Sequence, residues 1–359
     1  MTRQERIHNR IRNVRGGLSM IELIVVMGLI AVLAALTLPA VGKARQAARR
    51  TQCINNLRNI AFGLTQYDES KQRLPASGYY HIDPDRTHRL HSWAVEILPY
   101  INQGNLFDQL SPDRPLEDPA NDALRRAQVP VYVCSTDLSR NPEKFGDLSY
   151  AVNGGVGFTV RRSGVRDCPV DREWTLLDLN GDGAGCTGDP DVDALDKKLF
   201  EAMGMFFLES RNNNVTRRHH SLGDVLDGTS QTFMLAENVR AGFDPDTELA
   251  NFADSNPYRC AFYIGNPCPG GACNEGNVDY SRCNAGENRI NSGLQSAEGS
   301  SPIPNSFHEG GVNVAYADGH VQFVSEQIDG AIYAALVSPQ GLRLQGLPLE
   351  QVIVSGDGF

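Results

Sequence analysis

From Leu18 to Val41 the chain carries a single ionisable side chain, Glu22. The run Leu23-Ile24-Val25-Val26-Met27 continues through to Leu38-Pro39-Ala40-Val41. About 20 apolar residues are enough to cross the hydrocarbon core of a bilayer as a helix. The stretch 18–41 therefore reads as a membrane span, and the rest of the chain has to be arranged around it.

Two features set this span apart. An ordinary secretory signal carries its small-residue cleavage site after the apolar core. Here Gly16 and Gly17 come before it, behind a leader with arginines at 3, 6, 10, 12 and 15. That order predicts cleavage on the cytoplasmic side with the apolar segment retained. The second feature is Glu22 itself, because a lone carboxylate in a membrane helix costs on the order of a few kcal/mol. It needs a partner.

At these residues the chain resembles the type IV pilins and type II secretion pseudopilins. The resemblance implies a prepilin peptidase that cuts after Gly17 and methylates Leu18 as the new N-terminus, where phenylalanine is usual. It makes Glu22 the fifth mature residue, the glutamate that meets the terminal ammonium of a neighbouring subunit in that class. Pro39 becomes the twenty-second mature residue, where these helices often carry a proline. Opposite charges 4 Å apart attract by roughly 4 kcal/mol at an effective dielectric of 20, enough to offset the cost of burial.

The 359-residue chain has a formal charge of −10, and without the leader's five arginines and one glutamate it stands at −14. An acidic body of this kind argues against nucleic acid as a partner and suits divalent cations. Lys43, Arg45, Arg49 and Arg50 follow the span and nearly match the leader in positive charge, so charge alone does not orient it. The pilin resemblance implies an inner-membrane helix with the head on the periplasmic or cell-surface side.

Beyond Val41 the helical pattern continues. Ala44, Ala47 or Ala48, Thr51, Ile54, Leu57, Ala61 and Leu64 recur at three- and four-residue steps, which predicts an apolar stripe packed on a sheet. The expected organisation is a cleaved leader at 1–17, a pilin-like helix at 18–70 and a globular head at 71–359, with a Cys/Gly/Asp-rich insertion at about 154–300. The expected fold is α+β: a long N-terminal transmembrane helix packed on a head with an antiparallel sheet and disulfide-rich loops. Within the head, 92–100 reads as a buried helix or strand, 129–134 as a strand and 232–237 as another. The alternating segments 311–317 and 320–324 flank Asp318-Gly319, a pair that favours a tight hairpin turn.

Several of these pieces together resemble the domain of unknown function 1559. They are the N-terminal motif, Trp93 through Gln103, the run ending Val133-Cys134-Ser135, Ser149 through Gly154, Asp227 through Glu237, and His308-Glu309-Gly310-Gly311 through Asp318-Gly319. The resemblance implies architecture and export; it implies no ligand.

Of the eight cysteines, Cys168, Cys186, Cys260, Cys268, Cys273 and Cys283 lie in loop-like sequence. In an oxidising compartment these six are disulfide candidates with fifteen possible connectivities. Zinc is the rival for Cys260, Cys268, Cys273 and Cys283, although the spacing lacks paired C-x-x-C knuckles. Cys53, inside the helix, reads as a thiol.

Asp178-Leu179-Asn180-Gly181-Asp182-Gly183 alternates acidic or amide oxygens and places glycine sixth, the opening of a calcium loop. Ala184 would offer its carbonyl seventh and Asp189 stands twelfth, where a longer glutamate is usual. The competing reading is an Asx/Gly turn. Gly183-Ala184-Gly185-Cys186-Thr187-Gly188 spells G-x-G-x-x-G, but the acidic 189–193 that follows would repel phosphate. His219 with His220, and His308 with His320, lack a third ligand at defined spacing, and the Asp-Gly pairs at 227 and 318 fit turns.

No constellation points to an enzyme, and no organic cofactor is expected. The reading is a structural subunit of a pilus-like or pseudopilus-like assembly. Its partners would be prepilin peptidase, the inner membrane and other pilin-like subunits. The alternative is a helix-anchored exterior binding protein, or a polysaccharide-acting enzyme, that does not polymerise.

Overall fold

The computed structural model describes residues 19–82, 87–137, 146–162, 165–189, 191–211, 220–241, 251–274, 276–297 and 299–354. The processing residues Gly17 and Leu18 lie outside the described residues, as does His219. By its contacts the chain divides into two compact units, 1–48 and 49–359. One helix, α1 (Met20–Lys71), contributes to both.

α1 starts where Ser19 caps it. The Ser19 hydroxyl accepts from the Glu22 amide at 3.2 Å while the Ser19 amide donates to Glu22 Oε2 at 2.8 Å. This reciprocal pair is a capping box, and it satisfies donors that the first helical turn leaves unpaired. Glu22 thus has a local role in the helix start that the sequence reading did not foresee. Every residue from 19 to 49 is exposed, including Ile21, Leu23, Ile24, Leu29, Leu33 and Leu36. This is a helix long and apolar enough to span a membrane.

In the second unit the same helix turns an apolar face inward. Cys53, Leu57, Ile60, Ala61, Gly63, Leu64 and Tyr67 are buried. Leu57, Ala61 and Leu64 of the expected stripe are buried, whereas Thr51 is exposed and Ile54 half-buried, and Cys53 and Ile60 take inner positions that were not expected. Gly63 is required where it stands, because a Cβ there would come within 2.9 Å of Ile101 Cγ2.

The central sheet has five strands: β3 (Tyr150–Asn153), β7 (Phe233–Glu237), β8 (Ala261–Phe262), β9 (Gly311–Tyr316) and β10 (Val321–Ser325), ordered β10-β9-β7-β3-β8. All neighbours are antiparallel except β3 with β8. A three-stranded sheet holds β1 (Gly78–Ile82), β2 (Thr87–Ser92) and β6 (Leu208–Ser210), and a hairpin holds β4 (Gly157–Arg162) and β5 (Val165–Asp171). Together with α1 they make the α+β fold.

Period-two alternation splits the core across the central sheet. Tyr150, Val152, Leu235 and Ala315 join the cluster that contains Cys53, Leu57, Ile60 and Leu64 of α1. Ala151, Ala236, Val312, Val314 and Tyr316 join a second cluster with Tyr333, Leu336 and Val337 of the C-terminal helix Gly330–Val337. Each fully buried Leu or Ile contributes about 1.5–3 kcal/mol, so both faces matter to stability.

Several local expectations change. Residues 130–132 form a 3-10 turn rather than part of a strand, with Pro130 at its first position. Trp93–Glu96 is a short helix followed by a 3-10 turn at Leu98–Ile101. The stretch at 154–300 supplies β7 and β8 to the central sheet, so it belongs to the frame as well as to the loops. The β9–β10 hairpin is present with Ala315 opposite Val321, but its turn is wider than a two-residue one. The Tyr316 amide donates to the His320 carbonyl and only Gly319 takes a positive φ, +87°. A tight Asp-Gly turn of the primed kind would need positive φ at both residues.

Three disulfides are present: Cys53–Cys134, Cys168–Cys186 and Cys268–Cys273. Cys53 is therefore corrected from a thiol to a bridge partner, because the inner face of α1 brings it to the segment after the 3-10 turn at 130–132. Cys260 and Cys283 are corrected the other way, to buried free thiols. They belong to different core clusters and so cannot meet, which also breaks up the four-cysteine zinc alternative. Cys260 Sγ instead donates to the Asn256 carbonyl at 3.2 Å.

Candidate functional site

The most concentrated chemistry in the head lies between α1 and the central sheet, around Glu237. Leu235 belongs to the core cluster that contains the inner face of α1, and Glu237 follows it two residues later at the end of β7. Two-residue spacing therefore puts Glu237 on that same side of the sheet. Its side chain is wholly buried.

A carboxylate removed from water costs several kcal/mol unless its oxygens are satisfied. Here they are. The Asn313 amide donates to Oε2 at 2.8 Å, and Asn313 Nδ2 lies 3.0 Å from both oxygens. His308 Nε2 is 3.1 Å from Oε1. The loop 306–311 fixes His308 locally: the Ser306 hydroxyl accepts from the His308 amide at 3.1 Å and donates to the Gly311 carbonyl at 2.7 Å.

The disulfide sulfurs complete the group. Cys134 Sγ lies 3.7 Å from Glu237 Oε1, 3.8 Å from His308 Nε2 and 3.0 Å from the Thr136 hydroxyl. Cys134 is held by its amide, which donates to Ser149 Oγ at 3.0 Å, and that hydroxyl donates on to Asp137 at 2.7 Å. On the other side the Cys53 carbonyl accepts from the Tyr150 hydroxyl at 3.4 Å. Burial first, then the Glu237 charge, raise the Tyr150 phenol well above its ordinary range. Donor atoms of Cys53, Cys134, Glu237 and His308 all lie within 4.8 Å of one another, and all four residues are buried. Asn313 Oδ1 is buried and has no hydrogen-bond partner among the described residues.

Sequence reasoning singled out His308 but paired it with the wrong partner. His320 is on the β9–β10 turn, stacked on Tyr316 and bonded to Asp318 at 2.6 Å, while His308 belongs to Glu237. Glu237 was legible only as the sole charge in the strand Phe-Met-Leu-Ala-Glu. His220 Nε2 donates to the Glu201 carbonyl, 2.9 Å away, and burial lowers its pKa.

The predicted calcium loop is ordered around its own amides. Asp178 accepts from Gly181 and Gly183 at 2.8 and 2.9 Å, Asn180 Oδ1 from Asp182 at 2.9 Å, and Asp182 Oδ1 from Ala184 at 2.8 Å. Asp189 is exposed and accepts from Asp191 at 2.9 Å. The residue the sequence reading missed is Asp196, buried beneath the loop. Its Oδ1 accepts from Leu179 and Asn180 at 2.7 and 2.8 Å, and its Oδ2 has no partner among the described residues. Burial, with the charges of Asp178 and Asp182 adding to it, raises its pKa to about 6. The G-x-G-x-x-G segment is no phosphate cradle: the amides of Thr187 and Gly188 are taken by Asp193 at 2.8 and 2.9 Å.

A family model described as protein of unknown function (DUF1559) matches residues 42–331, a span that includes Cys53, Cys134, Glu237 and His308. No curated protein and no solved structure matches the chain.

Proposed function

The chain belongs to the DUF1559 family, a membership that names no activity, and we propose that this member is a prepilin-like, membrane-tethered subunit of a pilus or pseudopilus. One observation carries the reading. α1 begins with an exposed stretch, residues 20–41, that is apolar but for Glu22 and Thr37, and the carboxylate of Glu22 stands in its first turn. A soluble protein gains nothing from such a surface. A bilayer covers it before assembly, and neighbouring copies of the same helix cover it afterwards. The Leu18 ammonium created by cleavage after Gly17 supplies the charge that Glu22 would meet on a neighbour. In this reading the head sits outside the inner membrane, where its disulfides persist.

Intact-mass measurement of the chain extracted from membranes tests the processing step. The expected mass is that of a chain starting at N-methylated Leu18. A mature N-terminus beyond Val41, or an unprocessed chain, would remove the pilin reading.

The second reading, an anchored exterior binding protein, rests on a polar cleft of about 580 Å³ lined by Arg172, Glu173, Tyr258 and the hydroxyls of Ser292, Ser296 and Ser300. Hydroxyl-rich walls with an aromatic ring suit a polar, sugar-like ligand. The two readings differ in whether the chain self-associates, not in whether it is processed.

A further inference from the structure

We propose that Cys53, Cys134, Glu237 and His308 form a closed zinc site in the dithiol form of the protein, and that the Cys53–Cys134 disulfide is the oxidised alternative of that same site. The inference is independent of whether the subunits assemble.

The geometry supports it edge by edge. Zinc held at about 2.3 Å by sulfur and 2.0–2.2 Å by nitrogen or oxygen sets tetrahedral ligand atoms roughly 3.3 to 3.8 Å apart. Three edges are already near those lengths: Cys134 Sγ to Glu237 Oε1 at 3.7 Å, Cys134 Sγ to His308 Nε2 at 3.8 Å, and His308 Nε2 to Glu237 Oε1 at 3.1 Å. The two sulfurs have to separate, and Cys53 Sγ, within 4.8 Å of the other donor atoms, has to settle at the fourth vertex. The donor set of two thiolates, an imidazole and a carboxylate is one that zinc favours over hard cations. Two thiolates and a carboxylate leave a net charge of −1 on the complex, far easier to bury than three separate anions.

The surroundings also fit a metal better than a bridge alone. The Thr136 hydroxyl lies 3.0 Å from Cys134 Sγ. A disulfide sulfur accepts hydrogen bonds poorly, whereas a zinc-bound thiolate gains from one. Asn313 grips Glu237 through its amide and its side chain, the kind of outer contact that orients a ligating carboxylate. The burial of all four ligands leaves no open coordination position, so the site is structural.

The chemistry balances. Both cysteines leave the ribosome as thiols, and zinc displaces one proton from each to solvent. From the oxidised form, a dithiol reductant breaks the S–S bond, becomes a disulfide itself and leaves two thiols, which zinc then deprotonates. A chain that carries zinc is thereby protected from premature oxidation, and one that has lost zinc closes the bridge by exchange with a protein disulfide, which takes the two electrons and two protons and leaves as a dithiol.

The test uses the full chain in detergent, prepared oxidised and, separately, treated with a dithiol and zinc sulfate and then dialysed against zinc-free buffer. Elemental analysis should find one zinc per reduced chain and almost none per oxidised chain. The reduced Cys53→Ser/Cys134→Ser chain should lose that zinc although its other six cysteines remain. Thr136→Val should weaken zinc binding by about 10- to 100-fold and leave the melting temperature of the oxidised chain unchanged. Cobalt(II) in place of zinc gives a readout that does not depend on the folding of any variant. The reduced wild-type chain should show sulfur-to-cobalt charge transfer with tetrahedral d–d bands, bleached by zinc. A reduced wild-type chain without bound zinc, equal zinc in the double variant or the oxidised chain, or a cobalt spectrum lacking sulfur charge transfer would each overturn the proposal.

Discussion

A carboxylate with no solvent exposure is stable only through its partners, and Glu237 has two residues to thank, Asn313 and His308. Removing a hydrogen-bond partner leaves a buried carboxylate oxygen unsatisfied. His308→Leu in the oxidised chain should therefore lower unfolding stability by about 2 kcal/mol, read as a shift in the urea midpoint. A loss below about 1 kcal/mol would mean that Asn313 alone satisfies Glu237. Single residues were legible in the sequence where their role is local. Gly319 declares a turn through its position. The site around Glu237 was not, because its four contributors come from α1, the 134 segment, the end of β7 and the 306–311 loop. Neither spacing nor composition shows that Cys53 and Cys134, 81 residues apart, share one side of the sheet.

At the scale of elements, α1 and the β9–β10 hairpin were readable because periodicity fixes them, even though Thr51 and Ile54 of the expected stripe are not buried. The 178–189 loop was readable as a pattern, whereas the buried carboxylate beneath it, Asp196, stands outside that pattern. Calcium at this loop remains our proposal, with Asp196 replacing the exposed Asp189 as the completing ligand. A carboxyl whose folded pKa is raised to about 6 is protonated in the folded chain and ionised in the unfolded chain between its ordinary value and 6. Stability contributed by its neutral form is complete below about pH 4 and declines as the pH rises to about 6. A calcium ion favours the carboxylate and should flatten that decline. With the disulfides oxidised, millimolar calcium at pH 7 should raise the melting temperature relative to chelator, by the equivalent of about 1 kcal/mol at a few times Kd. Asp196→Asn should abolish both the calcium effect and its share of the pH dependence. Identical melting curves in calcium and chelator would end the calcium assignment.

For the whole molecule, periodicity already predicted one helix over 18–70 followed by a head, and the structure has that helix as α1, Met20–Lys71. The sequence reading passed over a second role for Glu22, although Ser19-x-x-Glu22 has the spacing of a capping box. Its capping box with Ser19 offers a reason for the glutamate that needs no neighbour, and the assembly account must be separated from it. Glutamine serves a capping box as glutamate does but carries no charge to attract a terminal ammonium, an attraction of roughly 4 kcal/mol at 4 Å and an effective dielectric of 20. The deciding measurement is the recovery of a tagged Glu22→Gln chain, co-expressed with the wild-type chain, in the sheared or cross-linked multimer fraction. The account predicts a normal amount of the variant in the membrane and at least a tenfold depletion from multimers. Incorporation at the wild-type level would contradict it and leave Glu22 as a helix cap on an anchored protein that does not polymerise.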